Sequence, residues 1–72
     1  MKLPENVVYV LLHKNLTGNP NFPWTFSESD MYSDARLAVN AFLEHSNSEP
    51  YLVTKRYCQQ MLDCGRAIFV ED

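Results

Sequence analysis

Only two glycines, Gly18 and Gly65, occur in the 72 residues. A loop that cradles phosphate with backbone amides needs several glycines close together, so the chain lacks the material for a nucleotide-hydrolysing site of that kind. Positive charge is also scarce. Six Lys and Arg stand against nine Asp and Glu, for a formal charge of −3 and a pI near 5.2. Strong generic attraction to nucleic acid or to anionic membranes requires a basic surface, which this balance supplies at most as a local patch. The longest apolar run, Val7-Val8-Tyr9-Val10-Leu11-Leu12, is far short of the roughly 20 residues that span a bilayer, and no small-residue cleavage site follows it. The expectation is a cytoplasmic protein without membrane association.

Cysteine is limited to Cys58 and Cys64. On a helix, six positions at roughly 100° each place the two thiols about 240° apart, an awkward geometry for a disulfide. On a strand they would share a face but lie too far apart along the chain. Reduced thiols in a reducing compartment are the simpler expectation. With His13 and His45 they would complete a two-thiolate, two-imidazole metal set. Structural zinc sites, however, bring paired cysteines two to four residues apart, so no metal and no cofactor is expected. Nucleophilic use of Cys64 would need His13 or His45 beside it, and the end of a helix disfavours a thiolate. No catalytic set is assigned. Asn15-Leu16-Thr17 matches a glycosylation acceptor pattern, but no secretion signal accompanies it.

What is present suits a small folded domain over residues 1–72. Hydrophobic residues make up 46%, including four Phe, four Tyr and one Trp. A chain this short buries only about 60% of its unfolded surface, so the aromatics must supply much of the core. Asn6 to His13 reads as a strand apolar on both faces, with Val7, Tyr9 and Leu11 opposite Val8, Val10 and Leu12. Such a strand is covered on both sides, or is covered on one side and meets a partner with the other. Asn15 to Pro23 is rich in turn formers and reads as a surface loop that carries Phe22 towards Trp24. Trp24 to Ser27 alternates bulky and polar residues and suits a short strand antiparallel to the first.

Asp34 to His45 is the clearest helix, with Ser33 as its cap and Ala35, Ala38, Val39 and Phe42 as its apolar stripe, widened by Leu37, Ala41 and Leu43. Tyr51-Leu52-Val53 fits either a brief strand or the lead-in to a second helix. Lys55 to Cys64 fits that helix, with Thr54 as N-cap and Gly65 as a left-handed C-terminal cap, although a continuous hairpin over 51–64 is the alternative. Ala67 to Glu71 closes the chain as a strand. The resulting architecture is α+β, a small two- or three-stranded antiparallel sheet covered on one face by two helices, with the two outer strands paired. Phe42, Leu62, Met61 and Val39 would then meet Val8, Val10, Ile68 and Val70, and an uncovered second face would expose Tyr9, Leu11 and Phe69.

Two charged groups stand out. Glu28, Asp30 and Asp34 precede the first helix and would either be solvated or offer an acidic contact surface to a basic partner. Lys55 and Arg56 occupy the first turn of the second helix, where the dipole disfavours cations, so they mark a candidate anion site or a later helix start. The functional expectation is a non-enzymatic interaction module, binding, inhibitory or adaptor in role, whose candidate contact residues are Tyr9, Leu11, Phe22, Trp24, Lys55 and Arg56. Small size and acidity are shared with phage and mobile-element proteins that block host machinery, a likeness of composition only. Its partner would be another protein, or a second copy in a homodimer. The alternative is a nucleic-acid-associated regulator that touches the backbone through Lys55, Arg56, Arg66 and Trp24.

Overall fold

The computed structural model describes residues 1–14 and 23–70. Phe22, the acceptor pattern at Asn15, Gly18 and the expected strand end at Glu71 lie outside the described residues. The element order is β1 (Tyr9–Leu12), β2 (Trp24–Phe26), a 3-10 turn (Glu28–Asp30), β3 (Met31–Tyr32), α1 (Ala35–Glu44), a second 3-10 turn (Ser46–Ser48), β4 (Tyr51–Thr54), α2 (Lys55–Asp63) and β5 (Ala67–Phe69). Two helices with a three-stranded antiparallel sheet and a small parallel sheet make this an α+β fold, as expected.

The first strand is the centre of the larger sheet, in the order β3-β1-β4. On one edge Tyr9 faces Tyr32 and Val10 faces Met31, and on the other Val10 faces Val53, Leu11 faces Leu52 and Leu12 faces Tyr51. The ladder continues one residue upstream, where the Val8 amide donates to Tyr32 and the Val8 carbonyl accepts from Lys55. With both edges of β1 used, no edge remains for the C-terminal strand. The expected pairing of the two outer strands is therefore overturned: β5 pairs parallel with β2, Trp24 facing Ala67 and Phe26 facing Phe69. The antiparallel relation expected between the Trp24 segment and the first strand shrinks to a single bridge, in which His13 and Thr25 exchange two backbone hydrogen bonds of 2.8 and 2.9 Å. The two-residue strand β3 had no counterpart in the sequence reading.

Alternation along β1 sends Val10 and Leu12 to one face and Leu11 to the other, and all three are fully buried. Val10 and Leu12 join Val53, Phe26, Cys58, Met61 and Ala67 in the main core, with Leu3 and Val7 of the N-terminal segment closing it. On the opposite face α1 packs across β1, β3 and β4, burying Ala38 and Ala41. The strand is thus covered on both sides, and the helices divide between the faces. The small side chains at Ala38 and Ala41 let the helix sit close to the sheet, which turns Leu37, Val39 and Leu43 outward. Val39, Val8, Ile68 and Val70 were expected inside, yet each is 42–47% exposed. Those contacts require a sheet in which β5 lies beside β1, whereas β5 pairs with β2.

Cap chemistry decides where the helices begin and end. Asp34, not Ser33, is the N-cap of α1, its carboxylate accepting the Arg36 amide at 2.7 Å. An anionic acceptor at the helix start also suits the dipole. Thr54 caps α2 through the Tyr57 amide at 3.2 Å, as expected, and is at the same time the last residue of β4. At the other end Gly65 has φ +75°, and the Arg66 amide reaches back to Met61 at 2.7 Å while the Gly65 amide bonds Leu62 at 3.2 Å. These two bonds form a Schellman motif, which reverses the chain into β5.

Candidate interaction surfaces

Three surface features bring chemically capable side chains together. The first is a row of aromatic rings drawn from three elements. Trp24 on β2 lies with its ring centroid 5.7 Å from that of Tyr51 on β4, and Tyr51 lies 6.2 Å from Tyr57 on α2. Trp24 is half-buried against the core, which fixes its ring. Tyr51 and Tyr57 remain 42% and 39% exposed. The Tyr57 hydroxyl, as hydrogen-bond partner and nearby charge, raises the Tyr51 phenol above its ordinary pKa, while Arg66 pulls it the other way. Partly exposed Trp and Tyr with an arginine alongside match the residue types that dominate protein interfaces.

The second feature is an open groove of about 520 Å³ between the N-terminal segment and α2, lined by Lys2, Leu3, Lys55, Arg56, Gln59 and Gln60. Gln59 builds its wall. The Gln59 side-chain oxygen accepts the Leu3 amide at 2.9 Å, and its nitrogen donates to the Met1 carbonyl at 2.8 Å and to Asp63 at 3.3 Å. This clamp, together with the burial of Leu3, lays Lys2 across from the first turn of α2. The helix amides themselves are largely committed, Lys55 to the Val8 carbonyl and Tyr57 to Thr54. Any affinity for anions in this groove therefore comes from side chains rather than from the helix terminus.

The third is a polar cluster at the end of β1. His13 Nε2 and Asp30 Oδ1 are 2.9 Å apart, and the His13 ring meets His45 edge to face at 5.5 Å. The other carboxylate oxygen of Asp30 accepts the Ser27 amide at 2.9 Å and the Ser27 hydroxyl at 3.2 Å. Ser27 and Ser29 hydroxyls bond each other at 2.9 Å, so the cluster ties the 3-10 turn to the sheet. Burial raises the neighbouring Tyr32 phenol, and the charges of Asp30 and Glu44 push it the same way.

The expected site residues fare differently. Trp24 stands in the aromatic row, and Lys55 and Arg56 line the groove. Tyr9 is half-buried on the face that α1 covers, and Leu11 is fully buried there, which removes it from any contact surface. Phe22 lies outside the described residues. The acidic group before the first helix is dispersed by structural duties: Asp30 holds His13 and Ser27, Asp34 caps α1, and Glu28 alone stays exposed without a described bond. Cys58 is buried, its thiol pushed up to about 11 by desolvation, and Cys64 is exposed. Among the described residues no three His, Cys, Asp or Glu side chains are placed to share a metal ion, and no helix is long and apolar enough to cross a membrane.

Comparison with protein-family models, with curated proteins and with solved structures returned no match. The surfaces therefore have to be read from their own chemistry. Tyr51, Tyr57 and Lys2 were not singled out in the sequence. Tyr51 joins Trp24 only because β4 pairs with β1, and Lys2 joins Arg56 only through the Gln59 clamp. Neither relation leaves a local pattern, although the lone Trp after two prolines did point to one member of the row.

Proposed function

We propose that the protein is a small interaction module that binds a protein partner by surface complementarity, without a chemical step, in an inhibitory or adaptor role inside the cell. The observation that carries this reading is the row Trp24–Tyr51–Tyr57, held by three separate elements and half open to solvent. Trp24 is held against the core and loses little conformational freedom on binding, and Tyr and Trp carry much of the affinity of protein interfaces. Removing both tyrosines, Tyr51→Ala with Tyr57→Ala, leaves the buried core intact and is expected to weaken capture of a partner from lysate about tenfold or more. Val39→Ala, on the outer side of α1, is the control and is expected to change nothing. Equal capture by the double variant and the native chain would refute the reading.

A nucleic-acid role is the second reading, favoured by Arg66 beside Tyr51, since stacked rings next to cations also bind single strands. Backbone-driven binding must weaken as salt rises. Titration of single-stranded RNA and DNA at two salt concentrations decides it: tight, salt-sensitive binding lost in the double tyrosine variant would favour this reading over the first.

A further inference from the structure

Three of the chain's six cations, Lys2, Lys55 and Arg56, converge on one groove, in a protein whose overall formal charge is −3. No carboxylate among the described residues lines that groove. Among the described residues the two ion pairs, His13–Asp30 and Lys14–Glu49, leave these three cations aside. The groove is thus a local positive patch on an acidic molecule and is complementary to a negatively charged ligand. The cations also arrive from two directions: Lys2 from a segment pinned by Gln59, and Lys55 and Arg56 from the first turn of α2. Lys55 is half-buried, so its position is set by the fold rather than by solvent.

We infer that the groove between the N-terminal segment and α2 binds a short acidic peptide segment of a protein partner, its carboxylates seated between Lys2 on one wall and Lys55 and Arg56 on the other. Gln60 adds a carboxamide that can donate to the same oxygens, whereas Gln59 is occupied in holding the wall. Nucleic acid fits less well for two reasons. Among the described residues the lining holds no aromatic ring on which a base could stack, and Leu3 is the one apolar side chain there. With half of the cations gathered here, the rest of the surface is more acidic than the chain as a whole, so a long polyanion running past the groove would be repelled. A short segment meets only the favourable field. This inference rests on the interaction reading for its class of partner but uses different residues from the aromatic row.

The test follows backbone amide signals during titration with a blocked octapeptide of alternating Asp and Glu, its Asn/Gln counterpart, inorganic phosphate and an oligouridylate of about eight nucleotides, at about 50 and about 300 mM NaCl. The acidic peptide is expected to shift Lys2, Lys55, Arg56 and Gln60 saturably, and the neutral peptide is not. Affinity is expected to fall about tenfold in Lys55→Ala/Arg56→Ala and similarly in Lys2→Glu, which alters the opposite wall without touching the helix. It should also fall at the higher salt. The inference is overturned by the absence of a saturable shift, by binding that both variants retain, or by phosphate or the oligouridylate binding these residues more tightly than the peptide. Failure here leaves the aromatic row untouched, because Tyr51→Ala/Tyr57→Ala is read in a separate capture experiment.

Discussion

Two cysteines in one chain have opposite chemistry because one lies under the sheet and the other at a helix end. Cys58 is fully buried and its thiol is pushed up to about 11, so it is protonated and inaccessible at neutral pH. Cys64 is open to solvent. A thiol reagent is expected to modify Cys64 rapidly in the native protein and Cys58 only after denaturation. A Cys64→Ser variant that still reacts quickly would show that Cys58 is not sealed. The same burial has a consequence in base. Folded Cys58 keeps its proton up to about 11, while in the unfolded chain the thiol loses it from about 9. Its contribution to stability is complete below about 9 and is lost as pH rises towards 11. Urea midpoints over that range should fall more steeply for the native chain than for Cys58→Ala, and parallel curves would contradict the assignment.

Gly65 is the other residue whose environment decides its identity. A Cβ at this position would meet nothing within 4 Å, so only the left-handed backbone, φ +75°, opposes a side chain. Gly65→Ala is expected to cost about 1 kcal/mol of stability without altering the fold, the magnitude of left-handed strain in an L-residue. A loss several times larger, measured by denaturant unfolding, would mean that a steric contact is involved.

At the scale of elements, the change from β4 to α2 takes place within one residue. Thr54 finishes the ladder with β1 and caps the helix, so Thr54→Ala removes an acceptor from the Tyr57 amide at the point where both elements meet. About 1 kcal/mol is the expected loss, and no measurable change in the urea midpoint would contradict the cap. Much of α2 was legible because its signals are local: a capping threonine, an apolar face at Cys58 and Met61, and a closing glycine. The choice between strand and helix at Tyr51–Val53 was not legible, since the pattern is short and the answer depends on β1 as a partner across forty residues of chain. Asp34 displaced Ser33 as the cap of α1 because both types accept amide protons, and only the backbone geometry distinguishes them. The N-terminal segment adds another element-scale test. Gln59 bonds both the Leu3 amide and the Met1 carbonyl, so Gln59→Ala is expected to speed hydrogen exchange at the Leu3 amide markedly while the β1 amides stay protected. Unchanged exchange at Leu3 would show that burial of its side chain suffices.

For the molecule as a whole, the two-sided apolar pattern of the first strand implies either an interior strand covered on both faces or one whose second face meets a partner. The structure shows the first, with α1 on one face and the main core on the other. What the pattern could not convey was which strands flank that strand. The parallel pairing of β2 with β5 joins residues more than forty positions apart, and from it follow the exposure of Ile68 and Val70 and the placement of Trp24 beside Tyr51. The candidate surfaces share that origin: each gathers residues distant in sequence, so the lone cations and the lone tryptophan were visible as members but not as sets. Leu11 illustrates the reverse error, an apolar residue offered as a contact that α1 in fact covers.

The central claim is that this molecule acts by binding through Trp24, Tyr51 and Tyr57. Quantitative mass spectrometry of proteins captured from lysate by the native chain, by Tyr51→Ala/Tyr57→Ala and by Val39→Ala tests it most directly. The expected result is a partner retained by the native chain and by the Val39 variant and depleted about tenfold or more by the double tyrosine variant. Capture of nothing by the native chain, or of the same partner in equal amount by all three, would contradict the account.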